Sequence, residues 1–110
     1  MQTNFIKMML LASLALAVVS LNAGSVMAQD GKALYTAKLC PTCHGADAKT
    51  PIMPVYPKLA GQNSVYIEQQ VKDIRDKKRT NGQAAAMQAL VAAVTDAEIK
   101  AIATYLGSLK

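Results

Sequence analysis

The 110-residue chain has no Trp, a single Phe, a single His and only two Cys. Its length allows one small domain at most, which excludes a multidomain enzyme. Five aromatic side chains are few for filling a core, so something besides side chains is expected to contribute. No apolar run is long enough to cross a bilayer: the longest, Met8 to Val19, has twelve residues and is broken only by Ser13. No period-2 segment is long enough to make a strand, which leaves an all-α reading.

What is there begins with a leader. Lys7 precedes the Met8–Val19 run, Asn22, Gly24 and Ser25 follow it, and Val26-Met27-Ala28 puts small or compact residues where a signal peptidase reads. The expectation is a cleavable secretory signal peptide over residues 1–28, cut between Ala28 and Gln29, and one domain over residues 29–110. That domain has 82 residues, with eleven basic and seven acidic side chains, and no segment that spans a membrane. A charge balance this mild argues for no nucleic-acid partner. Export to the periplasm would place both cysteines in an oxidising compartment, so they need an assignment.

Three main helices are expected, with room for a short fourth. Asp30 is a candidate N-cap for a helix that runs through about Leu39 straight into Cys40. From Gly45 to Gly61, Pro51, Pro54 and Pro57 interrupt every period, and a long loop of this kind in a small domain is usually functional. Ile67, Val71 and Ile74 recur at helical spacing in a helix from Asn63 or Ser64 to about Lys78. Glu68/Lys72 and Asp73/Lys77 are expected as ion pairs and Asn81-Gly82 as its stop. Gln83 to Val94 reads as a loop entering a short helix. Thr95-Asp96-Ala97-Glu98 is a capping box, opening a last helix that buries Ile99, Ile102, Ala103, Leu106 and Leu109.

Cys40-Pro41-Thr42-Cys43-His44 decides the chemistry. C-x-x-C-H is the pattern of covalent haem c attachment. Two thiols one helical turn apart reach the two vinyl groups on one porphyrin edge, and the next residue places an imidazole under the iron. Three rival readings use the same residues. A thioredoxin-like dithiol wants a βαβ setting that a helical chain does not provide. A structural zinc site wants four ligands, and Cys40, Cys43 and His44 are the only thiols and imidazole of residues 29–110. A local disulfide would close a very short loop and leave His44 without a purpose. A haem would also supply the bulk that this composition lacks.

An iron held by His44 alone would be open to gases or peroxide, whereas a Met opposite closes the site and raises the reduction potential. Met53 lies in the proline-rich loop directly after His44. Met87 follows a helix that can carry the chain around the haem to its other face, so Met87 is the expected ligand and Met53 a packing residue.

With these residues in place, the chain resembles the class I c-type cytochromes, above all short bacterial monohaem forms and the halves of dihaem ones. The resemblance rests on Gly31 with Leu34-Tyr35, on Cys40-Pro41-Thr42-Cys43-His44, on Tyr56-Pro57-Lys58-Leu59-Ala60-Gly61-Gln62, on Arg79-Thr80-Asn81 before Met87, and on Ala103-Thr104-Tyr105-Leu106. It implies terminal helices that cross, and a Pro57 carbonyl that accepts from His44, which puts Met53 on the wrong face. The expectation is a small class I cytochrome c fold wrapped around one haem c, with Cys40 and Cys43 as tethers and His44 and Met87 as iron ligands. It would work as a periplasmic one-electron carrier, not an enzyme, with no small-molecule substrate. The alternative is a haem sensor or peroxidase-like enzyme with an open or displaceable distal iron position. Lys72, Arg75, Lys77, Lys78 and Arg79, offset by Asp73 and Asp76, are a candidate surface for docking redox partner proteins.

Overall fold

Side chains that accept from free backbone N–H groups set where each long helix starts. In the computed structural model, which describes residues 29–110, these helices are α1 (Gly31–Ala37), α3 (Ser64–Arg75) and α5 (Asp96–Ser108). The expected leader over residues 1–28 lies outside the described residues. Asp30 accepts from the amides of Lys32 and Ala33 at 3.0 and 3.2 Å. Asn63 accepts from those of Val65 and Tyr66 at 2.9 and 3.4 Å. Thr95 and Glu98 form the reciprocal box at 3.1 and 3.2 Å. Each such cap contributes about 1 kcal/mol. A single turn, α2 (Pro41–His44), and the short α4 (Ala84–Val91) complete the set. There is no strand among the described residues, so the all-α expectation holds.

The helix stops differ from those expected. α1 does not run into Cys40: Leu39 takes a left-handed φ of 63°, with its amide donating to Thr36 and the Cys40 amide to Tyr35, both at 3.1 Å. α3 stops at Arg75 because Lys77 does the same at φ 59°, with the Lys77 amide donating to Ile74 at 3.2 Å and the Lys78 amide to Asp73 at 2.8 Å. Both are Schellman ends built without glycine, so the usual signal in the sequence is missing. Each non-glycine residue there costs roughly 1–2 kcal/mol, which the tertiary packing offsets. The early end of α3 also removes the expected Asp73/Lys77 pair. Asp73 accepts instead from Gln69 at 2.8 Å, while Lys72 does pair with Glu68 at 2.8 Å.

α1 packs against α5, and α3 packs on both α5 and α4. Tyr35, Ile67, Ile102, Ala103 and Leu106 form one buried cluster; Ile74, Val91, Val94 and Ile99 form a second, and Val71 touches both. The predicted stripe of α5 is buried as expected at Ile99, Ile102, Ala103 and Leu106, with Leu109 half-buried. Two ion pairs tie helix ends together, Lys38 to Glu98 at 2.9 Å and Arg75 to Asp96 at 2.7 Å.

The 45–61 segment has no helix but is firmly held. Asp47 accepts from the amides of Lys49 and Thr50, which holds its carboxyl below the usual range. Ala48 is fully buried, and its carbonyl accepts from both Leu59 and Ala60 at 3.0 Å. The Gly61 amide donates to Leu106 of α5 at 2.9 Å.

The close approach of α1 to α5 depends on Gly31. A Cβ there would sit 2.2 Å from the Ala101 carbonyl oxygen and 2.7 Å from Tyr105 Cβ, and neither can yield without moving a helix. Gly31→Ala is therefore expected to destabilise the fold by about 1–3 kcal/mol. Guanidinium unfolding checks this: the midpoint falls while the denaturant dependence stays unchanged.

Candidate functional site

The left-handed turn at Leu39 delivers Cys40 directly to the start of α2. One turn later the amides of Cys43 and His44 donate to the Cys40 carbonyl, at 3.3 and 3.0 Å. The three side chains of the motif thus leave one rigid turn, and all three line a cleft of about 390 Å³. That volume falls in the range of about 300–1,000 Å³ expected of small-molecule and cofactor sites. The rest of the wall is mainly apolar, with Ile67, Val71 and Ile74 from α3, Val91 from α4 and Ile102 and Leu106 from α5.

His44 is 7% exposed, and its Nδ1 lies 2.9 Å from the Pro57 carbonyl oxygen. A carbonyl can only accept, so Nδ1 carries the proton and Nε2 keeps its lone pair for a metal. The bond expected from the resemblance is present. Tyr56 meets the same imidazole edge-on, with ring centroids 6.3 Å apart. From α1, the Tyr35 hydroxyl donates to the carbonyl of Gly45, the residue after His44, at 2.6 Å. Burial pushes that phenol well above its ordinary range, so it stays a neutral donor. Gly45 itself has φ 86°, and a Cβ would fall 2.1 Å from the Thr50 carbonyl oxygen.

Burial also pushes the Cys40 thiol up to about 11. A rise of this kind disfavours the thiolate that dithiol exchange needs. The helical fold likewise lacks the βαβ setting of that chemistry. Among the described residues no three His, Cys, Asp or Glu side chains converge on a point that would hold a bare ion. Two thiols on one turn, a buried imidazole with Nε2 available and an apolar cleft fit an iron porphyrin.

The two methionines separate clearly. Met87 is half-buried on α4, lines the cleft and packs against the cluster of Ile74, Val91 and Ile99. Met53 is 46% exposed and is not part of the cleft wall. The five basic residues expected as one docking surface do not behave as one. Arg75 has a side chain only 17% exposed and divides its donors among Asp76, Asp96 and the Val94 carbonyl. Lys72 pairs with Glu68 and Arg79 donates to Gln70, which leaves Lys77 and Lys78 exposed.

The cytochrome c family model matches residues 28–110, and the chain belongs to that family of haem-binding electron-transfer proteins. The cofactor of the family is haem c, covalently attached with its iron, and the chain carries one attachment motif, at Cys40 and Cys43. Cytochrome c-554(548) of Halomonas halodenitrificans is 39% identical over 69 residues, covering 63% of this chain and 82% of that protein. Cytochrome c4 of Pseudomonas aeruginosa is 37% identical over 107 residues, 97% of this chain and 49% of that one. A thiosulfate dehydrogenase electron acceptor of Stutzerimonas stutzeri is 36% identical over 106 residues, 90% of this chain and 46% of that one. The chain therefore spans most of the first relative and about half of the other two. No helix among the described residues is long and apolar enough to cross a membrane.

Sequence reasoning found the Pro57 carbonyl but missed two other parts that work through backbone. Leu39 is an exposed apolar residue with no turn signal, and the Tyr35 hydroxyl finds a carbonyl ten residues on. Tyr35→Phe is expected to cost about 1–3 kcal/mol, since it orphans a buried carbonyl beside His44. Thermal unfolding with unchanged helical circular dichroism at low temperature is the check.

Proposed function

We propose that this protein is a periplasmic one-electron carrier, with haem c tethered through thioethers to Cys40 and Cys43 and its iron ligated by His44 Nε2 and Met87 Sδ. The observation that carries the reading is that these four side chains line a single cleft, while Met53 stands outside it. Haem iron supplies the reversible ferric/ferrous couple. The chain does the rest. Pro57 holds His44 in one tautomer and Tyr35 fixes the backbone after it. The apolar wall keeps water away, so neither ligand needs to move when charge changes. A leader over residues 1–28 agrees with a family match that begins at residue 28. A relative named as an electron acceptor supports the carrier role.

Met87→Ala is expected to lose the weak near-infrared Met-to-iron band, to lower the reduction potential and to open the iron to added imidazole, whereas Met53→Ala keeps the parent behaviour. Unchanged spectra in Met87→Ala would move the ligand to Met53. A parent protein with no such band would favour the sensor or peroxidase-like reading.

A partner with an acidic face would meet Lys77 and Lys78, the exposed pair at the end of α3, whereas Arg75 is already paired with Asp76 and Asp96. Reversing both lysines to Glu is expected to slow oxidation by anionic ferricyanide at low ionic strength and to speed oxidation by a cationic cobalt complex. Both differences should vanish in high salt. Equal rates at low ionic strength would remove this surface.

A further inference from the structure

Two consecutive residues of the 45–61 segment reach the His44 ring. The Pro57 carbonyl oxygen lies 2.9 Å from Nδ1, and Tyr56 meets the imidazole with ring centroids 6.3 Å and ring planes 60° apart. That tilt sets the electropositive edge of one ring against the electron-rich face of the other. A single hydrogen bond fixes one atom of an imidazole and leaves the ring free to rock about it; the Tyr56 ring bears on a second point. The backbone of Tyr56 is itself well placed. Its amide donates to the Met53 carbonyl at 3.1 Å, and Pro57 behind it disfavours helical backbone at position 56. Ile52, Met53 and Val55 of the same turn stay exposed, whereas Tyr56 is half-buried and lines the cleft beside His44.

We propose that Tyr56 is a positioning residue for His44: its ring holds the plane of the imidazole and keeps water from the hydrogen bond to Pro57, and so helps to set the reduction potential. This rests on the haem reading of the cleft given above. Groups that orient a ligating histidine are usually carboxylates, carbonyls or water acting on the second ring nitrogen. Here an aromatic ring shares the task with the carbonyl of the next residue. The contact is made by the ring, so phenylalanine can make it equally. In a low-spin ferric haem the plane of an axial imidazole helps to decide how the unpaired spin spreads over the four pyrroles, so a rocking ligand changes that pattern. Water admitted beside the imidazole favours the more charged ferric state, and loss of the ring therefore lowers the potential.

The test uses the mature haem-loaded protein and its variants Tyr56→Ala, Tyr56→Phe and Ile52→Ala, the last removing an exposed apolar side chain of the same segment. Pyridine haemochrome assay first establishes that the parent holds haem; a parent without it overturns the reading of the site itself. In loaded protein, Tyr56→Ala is expected to change the order or spread of the four haem methyl shifts in the proton NMR spectrum of the ferric state. It should also lower the midpoint potential by several times the shift of Ile52→Ala, while Tyr56→Phe keeps the parent values of both. Unmoved methyl shifts in Tyr56→Ala, even with reduced thermal stability, leave the ring a merely structural role and overturn the proposal. A potential shift no larger than that of Ile52→Ala, or a Tyr56→Phe variant that behaves like Tyr56→Ala, overturns it too. Should Tyr56→Ala fail to mature, Tyr56→Leu decides: displaced methyl shifts support the positioning role, and parent-like shifts overturn it.

Discussion

An apolar cleft that the chain builds and does not fill with its own side chains is the constraint on which this structure depends. An 82-residue domain has little surface to bury, and this one has no Trp and only four Tyr with which to bury it. Its helices form two separate clusters that share little beyond Val71, and Met87 leans on the second of them. Residues of both clusters line the cleft, so haem c held there would add its bulk to each. Cofactor and core are in that sense the same object, and the attachment motif serves the fold as well as the chemistry.

Around the cleft, the groups that fix the imidazole act through main-chain oxygens. Pro57 accepts from His44, Gly45 accepts from Tyr35, and the carbonyl of Ala48 gathers the return of the 45–61 loop at Leu59 and Ala60. A backbone acceptor cannot be lost by changing one side chain. Its place is set by the loop, so the long proline-rich segment is the part that positions His44. Ion pairs play a different role: Lys38 with Glu98 and Arg75 with Asp96 join helix ends on the outside, where screening keeps each of them weak.

The sequence was most legible where chemistry or periodicity is local. The Cys40-Pro41-Thr42-Cys43-His44 spacing, the caps at Asp30, Asn63 and Thr95, and the buried stripe of α5 each depend on residues within one or two turns. The preference for Met87 over Met53 rests on chain order; in the structure Met87 lines the cleft and Met53 does not. Less legible were features that arise from tertiary packing. Leu39 and Lys77 occupy left-handed positions that glycine normally marks, so both helix ends fell short of the expected ones. Charge alone grouped Arg75 and Arg79 with Lys77 and Lys78. The partners that draw the two arginines away, Asp96 with Val94 and Gln70, lie nine or more residues distant.

If the cofactor is the missing centre of the core, the polypeptide should not hold its fold without it. The most direct measurement compares thermal unfolding, followed by circular dichroism, for the chain matured with haem and the same chain produced without haem attachment. The account predicts one cooperative transition for the coloured protein and none for the colourless chain. A colourless chain that melts cooperatively at the same temperature, with the same helix content, would contradict it.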